Sequence, residues 1–305
     1  MPGPANIEKD SPEEVFAVLA NETRIDILRS LWERESGKAT FSELRTLVGV
    51  ADSGQFNYHL EKLLGRFVSR TGDGYTLTHQ GQLINGALAA GSYTMSGDIE
   101  PITLDEPCPS CGGERTLHYE DDRLHVCCSS CPVELGFAIP PGVIAGCERE
   151  SIPDVASRYI RTSFTHIHNG FCYYCEGRTR PSIGSLREIY GDDISQIKNL
   201  PTDLADRIDE IPWVQYACDR CTNTATAGLD LVFLDHPAVV DFYYANGVNL
   251  QTAPIWTLDI SDPSQSAIHE RDPFRATVTY HVAEETLILT IDEQLSVIET
   301  VCPSR

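Results

Sequence analysis

The chain has 305 residues, roughly twice the usual ~150-residue domain, so its length excludes a single small module and predicts two or three cores. Hydrophobic residues make up 41%, and 45 acidic residues against 23 basic ones give a net charge of -22. This composition excludes a chain dominated by disorder and predicts a strongly anionic surface.

Four helices are predicted in the first 64 residues, because a capping residue stands before each apolar segment of helical spacing. Ser11 is followed by a proline at the first helical position and a glutamate two residues later, which together favour a helix start. The capping residues are Ser11, Asn21, Thr40 and Asp52, and their helices run to about Ala20, to the break at Gly37, to Gly49 and through Leu64.

A hairpin and a fifth helix are predicted next. Residues 67–70 and 75–77 alternate around the turn 71–74, whose Asp-Gly step is a strong hairpin signal. Residues 79–93 are rich in alanine and glycine and predict a helix that packs closely against a partner. Three helices, a tight turn into a fourth and a hairpin predict a winged helix-turn-helix DNA-binding domain with a dimerisation helix over residues 1–95.

The fourth helix has one apolar face, since about 100° of rotation per residue puts Phe56, Leu60 and Leu63 inward. Its N-terminal half can therefore reach into a major groove, where Gln and Asn amides pair with adenine and hydroxyl or cationic groups contact phosphates. The candidate DNA-binding residues are Ser53, Gln55, Asn57, Tyr58, Lys62, Arg66 and Arg70. The alternative is a winged helix that binds protein, with these residues merely solvated. We expect His59 to be half-buried in the core.

Residues 19–28, LANETRIDIL, resemble the opening of ArsR-type winged-helix repressors, and the resemblance continues through residues 41–44 and 57–63. It covers about residues 12–95 and implies a homodimer that reads a palindromic operator in double-stranded DNA. Metal-sensing members of that family carry cysteines on the third helix, or acidic and histidine ligands on the last one. Here residues 42–48 contain no cysteine, so we expect no metal sensing at those positions.

A polar, acidic stretch over residues 96–106 predicts a linker, and the first cysteine region follows it. Eight of the eleven cysteines form four Cys-x-x-Cys pairs, which in a cytoplasmic chain indicate metal rather than disulfides. The first two pairs are Cys108 with Cys111 and Cys128 with Cys131. The 16 residues between them contain two strand-like segments, so the sequence predicts a zinc ribbon.

The second cysteine region repeats that order. Cys172 and Cys175 are separated by 42 residues from Cys218 and Cys221, so only the two knuckles are diagnostic. A strand at 133–139 and a helix at 152–167 are predicted after the first ribbon, and a strand at 228–234 and a helix at 236–245 after the second. We infer a diverged tandem repeat of ribbon, strand and helix.

Two structural zinc ions are predicted, because four thiolates close the coordination of each ion and leave no position for hydrolytic chemistry. The competing interpretation, a redox dithiol at each pair, fits less well with pairs that are grouped two by two. We interpret the remaining cysteines, Cys127, Cys147 and Cys302, most simply as structural, with a thiol switch at Cys127 as a hypothesis.

In the tail, apolar and polar residues alternate over residues 276–282, 286–291 and 295–301. This pattern predicts an antiparallel β meander with one buried face. The predicted fold class is therefore α+β: a winged helix-turn-helix, two zinc ribbons that each carry a strand and a helix, and the meander. The predicted C-terminal domains are residues 107–170, with the first ribbon, and residues 171–305, with the second ribbon and the meander.

The predicted function is sequence-specific DNA binding by a transcriptional regulator whose C-terminal region senses, dimerises or recruits. The order of domains, together with residues 235–243, resembles a group of regulators from halophilic archaea, which implies no particular effector. The alternative is a general factor or protein-interaction module of the transcription machinery, since the large subunit of initiation factor E also joins a winged helix to a zinc ribbon. A cysteine redox enzyme is a third hypothesis, but no phosphate loop, nucleophile elbow or acid–base constellation is present, so we predict no enzyme.

The acidic residues lie mostly in the C-terminal two-thirds: residues 1–95 carry 9 basic and 12 acidic residues, and residues 96–305 carry 14 and 33. Only four cations are lysines, which resembles the proteins of salt-loving archaea; an acidic protein from a low-salt organism is the alternative. No secretory signal opens the chain, and no stretch approaches the ~18 apolar residues of a membrane helix. We therefore expect a cytoplasmic protein without a membrane partner.

Overall fold

A computed structural model of the chain describes residues 10–108, 111–131, 134–191, 206–258 and 265–303. The chain divides into two compact units, Met1–Met95 and Ser96–Arg305. Within the described ranges, helices occur together with four antiparallel sheets, so the predicted α+β class is confirmed. None of the helices in these ranges is long and apolar enough to cross a membrane.

The N-terminal unit contains the predicted helices followed by a hairpin. Its helices are α1 (Pro12–Leu19), α2 (Glu22–Trp32), α3 (Phe41–Val48), α4 (Ser53–Leu63) and α5 (His79–Ala89). Its strands are β1 (Lys38–Ala39), β2 (Val68–Thr71) and β3 (Gly74–Leu77), which form an antiparallel sheet in the order β1-β3-β2. Helix α5 is shorter than predicted, since it ends at Ala89.

Side-chain caps fix the starts of these helices. Thr40 Oγ1 accepts a hydrogen bond from the Glu43 N–H at 3.3 Å, and a Glu43 carboxylate oxygen accepts one from the Thr40 N–H at 2.8 Å. This reciprocal pair satisfies two backbone donors that the first turn of α3 cannot. Asp52 caps α4 by accepting from the Gln55 N–H at 2.6 Å. Gly49, with a φ of 74°, ends α3 in the left-handed conformation that glycine adopts readily.

One hydrophobic cluster forms the core of this unit. Its buried members come from α2, α3, α4 and the hairpin and include Ile27, Leu28, Leu44, Phe56, Leu60 and Leu63. Helix α5 is held close to the hairpin, because a Cβ at Gly81 would lie 2.2 Å from the Phe67 backbone oxygen. The buried Asn85 amide of α5 donates to the Leu28 oxygen at 3.3 Å, which ties α5 to α2.

The second unit contains three antiparallel sheets. The first has the order β4-β5-β6-β7, formed by β4 (Ile99–Leu104), β5 (Arg115–Glu120), β6 (Arg123–Cys128) and β7 (Glu134–Ala138). The second has the order β10-β9-β8, formed by β8 (Thr179–Ser185), β9 (Pro212–Cys218) and β10 (Thr224–Gly228). The third is β11 (Ser266–Arg271), β12 (Phe274–Val282), β13 (Glu285–Ile291) and β14 (Val297–Val301), in chain order.

Among the residues of this unit that the structure describes, the helices are α6 (Ile152–His168), α7 (Leu186–Tyr190), α8 (Leu229–Val232) and α9 (Pro237–Ala245). Short 3-10 turns lie at Pro141–Val143, Arg149–Ser151 and Ile255–Thr257. One buried cluster takes side chains from all three sheets and from α6 and α9. The predicted helices at 152–167 and 236–245, the strand after the first ribbon and the C-terminal meander are confirmed.

Three details differ from the sequence-based expectations. Residues 99–104, within the stretch interpreted as a linker, form strand β4 and pair with β5. The strand predicted at 228–234 is wrong, because the strand after the second knuckle is β10, and the apolar run behind it turns into α8. A continuous apolar run has no period that distinguishes a buried strand from a buried helix. The meander also has a fourth strand, β11, that the pattern did not predict.

Candidate metal centres and nucleic-acid interface

Each of the two predicted cysteine quartets comes together at one point of the structure. In the first, which we call cluster 1, Cys108 Sγ lies 3.7 Å from Cys131 Sγ and Cys111 Sγ lies 3.4 Å from Cys128 Sγ. The sulfurs of this quartet all lie within 4.8 Å of one another. The cysteines are free thiols rather than disulfides. The spacing of the two pairs therefore predicted the correct four residues.

Cluster 2 is formed by Cys172, Cys175, Cys218 and Cys221 and has the same geometry. Cys172 Sγ lies 3.7 Å from Cys221 Sγ, and Cys175 Sγ lies 3.5 Å from Cys218 Sγ. The long separation between its two knuckles does not prevent convergence, because strands β8 and β9 pair in antiparallel register from Thr179↔Cys218 to Ser185↔Pro212. Pairing at that end of the two strands brings the knuckles together.

Both clusters are suited to a tetrahedral ion. Four sulfurs at about 2.3 Å from a central metal lie about 3.8 Å from one another, which is close to the separations seen in both quartets. Four thiolates complete a tetrahedral shell, so the donor set leaves no open position for a substrate. The two sites can therefore hold one metal ion each as structural centres.

The backbone around each knuckle favours the thiolate form that a metal requires. The Ser130 N–H donates to Cys128 Sγ at 3.4 Å, and the Arg220 N–H donates to Cys218 Sγ at 3.4 Å. Burial opposes ionisation of Cys128, but backbone N–H groups and neighbouring thiols lower its pKa to about 7. The Asn223 N–H, with neighbouring thiols, lowers the pKa of Cys221 to about 6. Burial and the neighbouring thiols raise the pKa of Cys175 to about 12, and the pKa of Cys111 is also raised: the Gly113 backbone lowers it, but the Cys128 thiol raises it. The backbone N–H groups favour anionic sulfur, whereas the thiols of each quartet shift one another in opposite directions.

The two clusters share a hydrogen-bond pattern, which supports the inferred repeat. In cluster 1 the Cys108 N–H donates to the Gly113 oxygen at 2.8 Å, and in cluster 2 the Cys172 N–H donates to the Gly177 oxygen at 2.8 Å. In each case the acceptor stands two residues after the second cysteine of its pair. The three strands after each first knuckle, β5-β6-β7 and β8-β9-β10, also pair in chain order, although the first sheet has a fourth strand, β4, that precedes its knuckle.

Gly113 and Gly177 are not among the site residues that the sequence predicted. A Cβ at Gly113 would lie 3.0 Å from Cys128 Sγ, and a Cβ at Gly177 would lie 2.9 Å from Cys218 Sγ. Any side chain there would therefore press on a cysteine of the opposite knuckle. The signal was present in the sequence, because both first knuckles read Cys-x-x-Cys-x-Gly.

The other cysteines and the nearby histidines lie outside the two quartets. Cys127, Cys147 and Cys302 are each half-buried, and none of them joins a four-residue group. His125 Nδ1 lies 2.9 Å from a Glu134 carboxylate oxygen, and the His118 ring stacks on the His125 ring with centroids 5.0 Å apart. These rings lie on the outer face of the first sheet.

The candidate DNA-binding residues lie on α4, in the segment after it and on strand β2, and we call this set of residues the α4 surface. About 100° of rotation per residue places Gln55 and Asn57 on opposite flanks of the exposed side of α4. Ser53, Gln55, Asn57, Tyr58, Lys62 and Arg70 are exposed, and Arg66 is half-buried. The opposite face of α4 packs into the core, where His59 is also buried at 9% exposure, deeper than the half-buried position expected for it. The helix therefore has the two-sided character that its sequence predicts.

The cations of the α4 surface have partners within the unit. Arg66 Nη2 lies 2.8 Å from an Asp10 carboxylate oxygen, and Arg70 Nη2 lies 2.9 Å from a Glu61 carboxylate oxygen. Lys62 Nζ lies 5.6 Å from the centroid of the Tyr58 ring. The sequence did not reveal these pairings.

Two families match the chain. Residues 105–297, more than half of the chain, match the family described as Domain of unknown function (DUF7351), and residues 12–88 match the family described as Domain of unknown function (DUF7347). No curated protein and no solved structure matches the chain. Neither description states an activity, so a function has to be inferred from the residues themselves.

Proposed function

The chain belongs to the DUF7351 family, and we propose that it is a cytoplasmic, sequence-specific DNA-binding transcriptional regulator. In this proposal the N-terminal unit binds double-stranded DNA as an ArsR-like winged helix-turn-helix. The second unit carries two structural zinc ions and serves in sensing or oligomerisation. No catalytic step is assigned to the chain.

The observation that carries the proposal is the α4 surface. Gln55, Asn57 and Tyr58 are exposed at the N-terminal half of a helix whose other face is packed into the core. Amide side chains in that position are suited to the adenine edge in a major groove, and a helix is the element that this groove admits. The Asp52 cap fixes the residue at which α4 begins. It therefore fixes the positions of these amides along the helix.

The arrangement around α4 supports a winged helix-turn-helix. Helix α3 ends at Gly49 and α4 starts at Ser53, so a short turn joins them. The β2–β3 hairpin follows α4 directly and carries the exposed Arg70. In this class of domain the second helix enters the major groove, while the hairpin contacts the backbone of the DNA.

We further propose that the regulator is a homodimer formed through α1 and α5. Phe16 of α1 is 66% exposed and Leu83 of α5 is 59% exposed, and α1 has no buried residue. Large apolar side chains on helices that lack a full set of partners are suited to pack against a second copy. A two-fold dimer would present two α4 helices to a palindromic operator.

The metal in clusters 1 and 2 is proposed to be zinc. Zinc favours tetrahedral coordination by thiolates, and both quartets supply four sulfurs at suitable separations. Zinc at such sites contributes folding free energy of about 10 kcal/mol or more, because the unfolded chain has no preformed site. The proposed role of the ions is therefore to hold the second unit together rather than to catalyse a reaction.

One observation favours the alternative, a factor that works through protein contacts. Phe171, Tyr173 and Tyr174 are exposed on the first knuckle of cluster 2, and the Tyr173 and Tyr174 rings lie 4.2 Å apart. Exposed aromatic side chains are enriched where proteins bind one another. A general factor of the transcription machinery would use such a surface instead of sequence-specific readers.

Genome-wide crosslinking of the protein to DNA tests the proposal. A regulator is expected at a few promoters that share a palindromic motif, and the purified protein should bind that motif more tightly than a scrambled duplex. Occupancy of most promoters without a shared motif would favour the general factor. Failure of the purified protein to bind any enriched duplex would overturn sequence-specific binding.

A further inference from the structure

Two arginines of the α4 surface are engaged by carboxylates of their own unit. Arg70, on strand β2, pairs with Glu61 of α4 across 2.9 Å, and Arg66, between the two, pairs with Asp10 across 2.8 Å. Both pairs are solvent-accessible: the Arg70 and Glu61 side chains are 62% and 50% exposed. The cationic groups that would contact phosphates thus already have anionic partners when no DNA is bound.

We propose that Glu61 and Asp10 act as internal competitors of the DNA phosphates, so that the chain regulates its own DNA affinity through ionic strength. This inference rests on the proposed DNA-binding function of the α4 surface. A carboxylate oxygen and a phosphate oxygen satisfy the same guanidinium N–H groups. Binding of a duplex therefore exchanges one anionic partner of each arginine for another.

Glu61 lies next to the arginine for which it would compete with a DNA phosphate. Glu61 stands on the exposed side of α4, and the Arg70 guanidinium also lies 5.7 Å from the Tyr75 ring centroid. The Arg70 guanidinium thus contacts the Tyr75 ring of the neighbouring strand while its Nη2 donates to a Glu61 carboxylate oxygen. Exchange therefore requires only that the guanidinium turn from the carboxylate to a phosphate.

Salt acts on both sides of this exchange. Added salt weakens the contact between a cation and DNA phosphates, which normally makes binding fall steeply. It also screens an exposed pair such as Arg70–Glu61, since the Debye length falls from about 10 Å at 0.1 M to about 3 Å at 1 M. The two effects oppose each other. The affinity for DNA should therefore fall less steeply with salt than it would if the arginines of the α4 surface had no carboxylate partners.

The Glu61→Gln variant of the full chain tests the inference with a labelled random-sequence DNA duplex as the probe. At about 0.1 M KCl the variant should bind about 1.5- to 5-fold more tightly than the native chain, which is the range of an exposed ion pair. The difference should shrink as KCl approaches about 1 M. The slope of log K against log [KCl] should therefore steepen by about 0.2–0.7 over this range, which is less than the value of about 0.9 for one full phosphate contact.

The Arg70→Gln background separates competition from simple charge repulsion. If Glu61 only repelled DNA, Glu61→Gln would tighten binding equally with or without Arg70. Competition predicts a gain only where Arg70 is present, so the two changes should be non-additive. Asp10→Asn provides an independent test at Arg66, and Glu35→Gln, at an exposed carboxylate without an ion pair in the described ranges, is the charge-matched control.

The outcomes separate this inference from the proposed function. Tighter binding by Glu61→Gln that vanishes in the Arg70→Gln background supports internal competition. DNA binding that is unchanged by Glu61→Gln and Asp10→Asn overturns the competition and leaves the regulator intact. Absence of binding by every form overturns both.

Discussion

The Arg115 guanidinium donates a hydrogen bond from Nη2 to the backbone oxygen of Trp256, which joins strand β5 to the turn at Ile255–Thr257. The arginine is only 2% exposed, and its Nε also donates to the Glu106 oxygen at 3.3 Å. Burial lowers the pKa of Arg115, whereas the nearby thiols of cluster 1 act in the opposite direction. A buried cation therefore lies near the thiols of cluster 1.

Replacement of Arg115 by Met should destabilise the second unit by about 2–3 kcal/mol, since one buried and one partly buried carbonyl oxygen lose their donors. The variant would also remove the positive charge of Arg115 from the neighbourhood of the cluster 1 thiols. Unfolding by denaturant measures the effect. Arg180→Met is the control: this side chain is 78% exposed in a surface pair with Asp219, and its loss should change stability by less than about 0.5 kcal/mol. Equal effects of the two changes would contradict the assigned role of Arg115.

Removal of one ligand should empty one metal site and leave the other. Cys218→Ser is expected to lower the zinc content from about two ions to about one per chain, because three thiolates hold the ion less well than four. Metal analysis of the purified protein gives the count, and cobalt substitution should show the thiolate-to-metal absorbance reduced by about half. The control is Cys302→Ser, outside both quartets, which should leave two ions bound. Two ions in both variants would argue against cluster 2 as a metal site.

Two glycines of α5 should respond to alanine with opposite signs. At Gly81 a Cβ would lie 2.2 Å from the Phe67 oxygen, so Gly81→Ala must displace the helix from the hairpin and should cost about 1–3 kcal/mol. At Gly86 a Cβ meets no atom within 4 Å. Gly86→Ala should therefore stabilise the unit by about 0.5–1 kcal/mol through helix propensity. Thermal unfolding reports both signs, and a neutral Gly81→Ala would show that α5 packs less closely than described.

The amides of α4 should determine which DNA sequence is bound. Gln55→Ala and Asn57→Ala are each expected to reduce the discrimination between the operator and a mismatched duplex by about 1–3 kcal/mol. Lys62→Gln should instead weaken binding to both duplexes alike, because a phosphate contact carries no sequence information. Gln80→Ala, at an exposed position of α5, is the matched control for Gln55→Ala. Titration of operator and mismatched DNA with each variant gives the comparison. Loss of discrimination in Gln80→Ala as well would point away from α4 as the reader.

The sequence was most informative where the relevant interactions are short in range. The caps at Thr40 and Asp52 act within three residues, and both helices begin where those side chains predict. The two cysteines of each knuckle are also close in the chain, so their spacing identified the two groups of four cysteines that lie close enough to hold a metal ion. In each case a local chemical rule determines the outcome.

The features that the sequence did not reveal depend on contacts between distant residues. Strand β4 exists because residues 99–104 pair with β5, although the stretch is polar enough to resemble a linker. The pairing of Arg66 with Asp10 joins residues 56 positions apart, and no periodicity encodes it. Helix α8 replaces an expected strand because burial on all sides removes the alternation that would distinguish the two.

The two clusters differ in how far apart their paired cysteines lie along the chain. Cys111 and Cys128 are 17 positions apart, whereas Cys175 and Cys218 are 43 apart. At a synthesis rate of about 5–20 residues per second, the first gap takes roughly 1–3 s to cross and the second roughly 2–9 s. All four cysteines of cluster 1 are therefore synthesised within a short interval. For cluster 2, Cys172 and Cys175 are synthesised several seconds before Cys218 and Cys221. The first quartet is therefore complete in the nascent chain before the second, so the proposed zinc ions can bind in the order of translation.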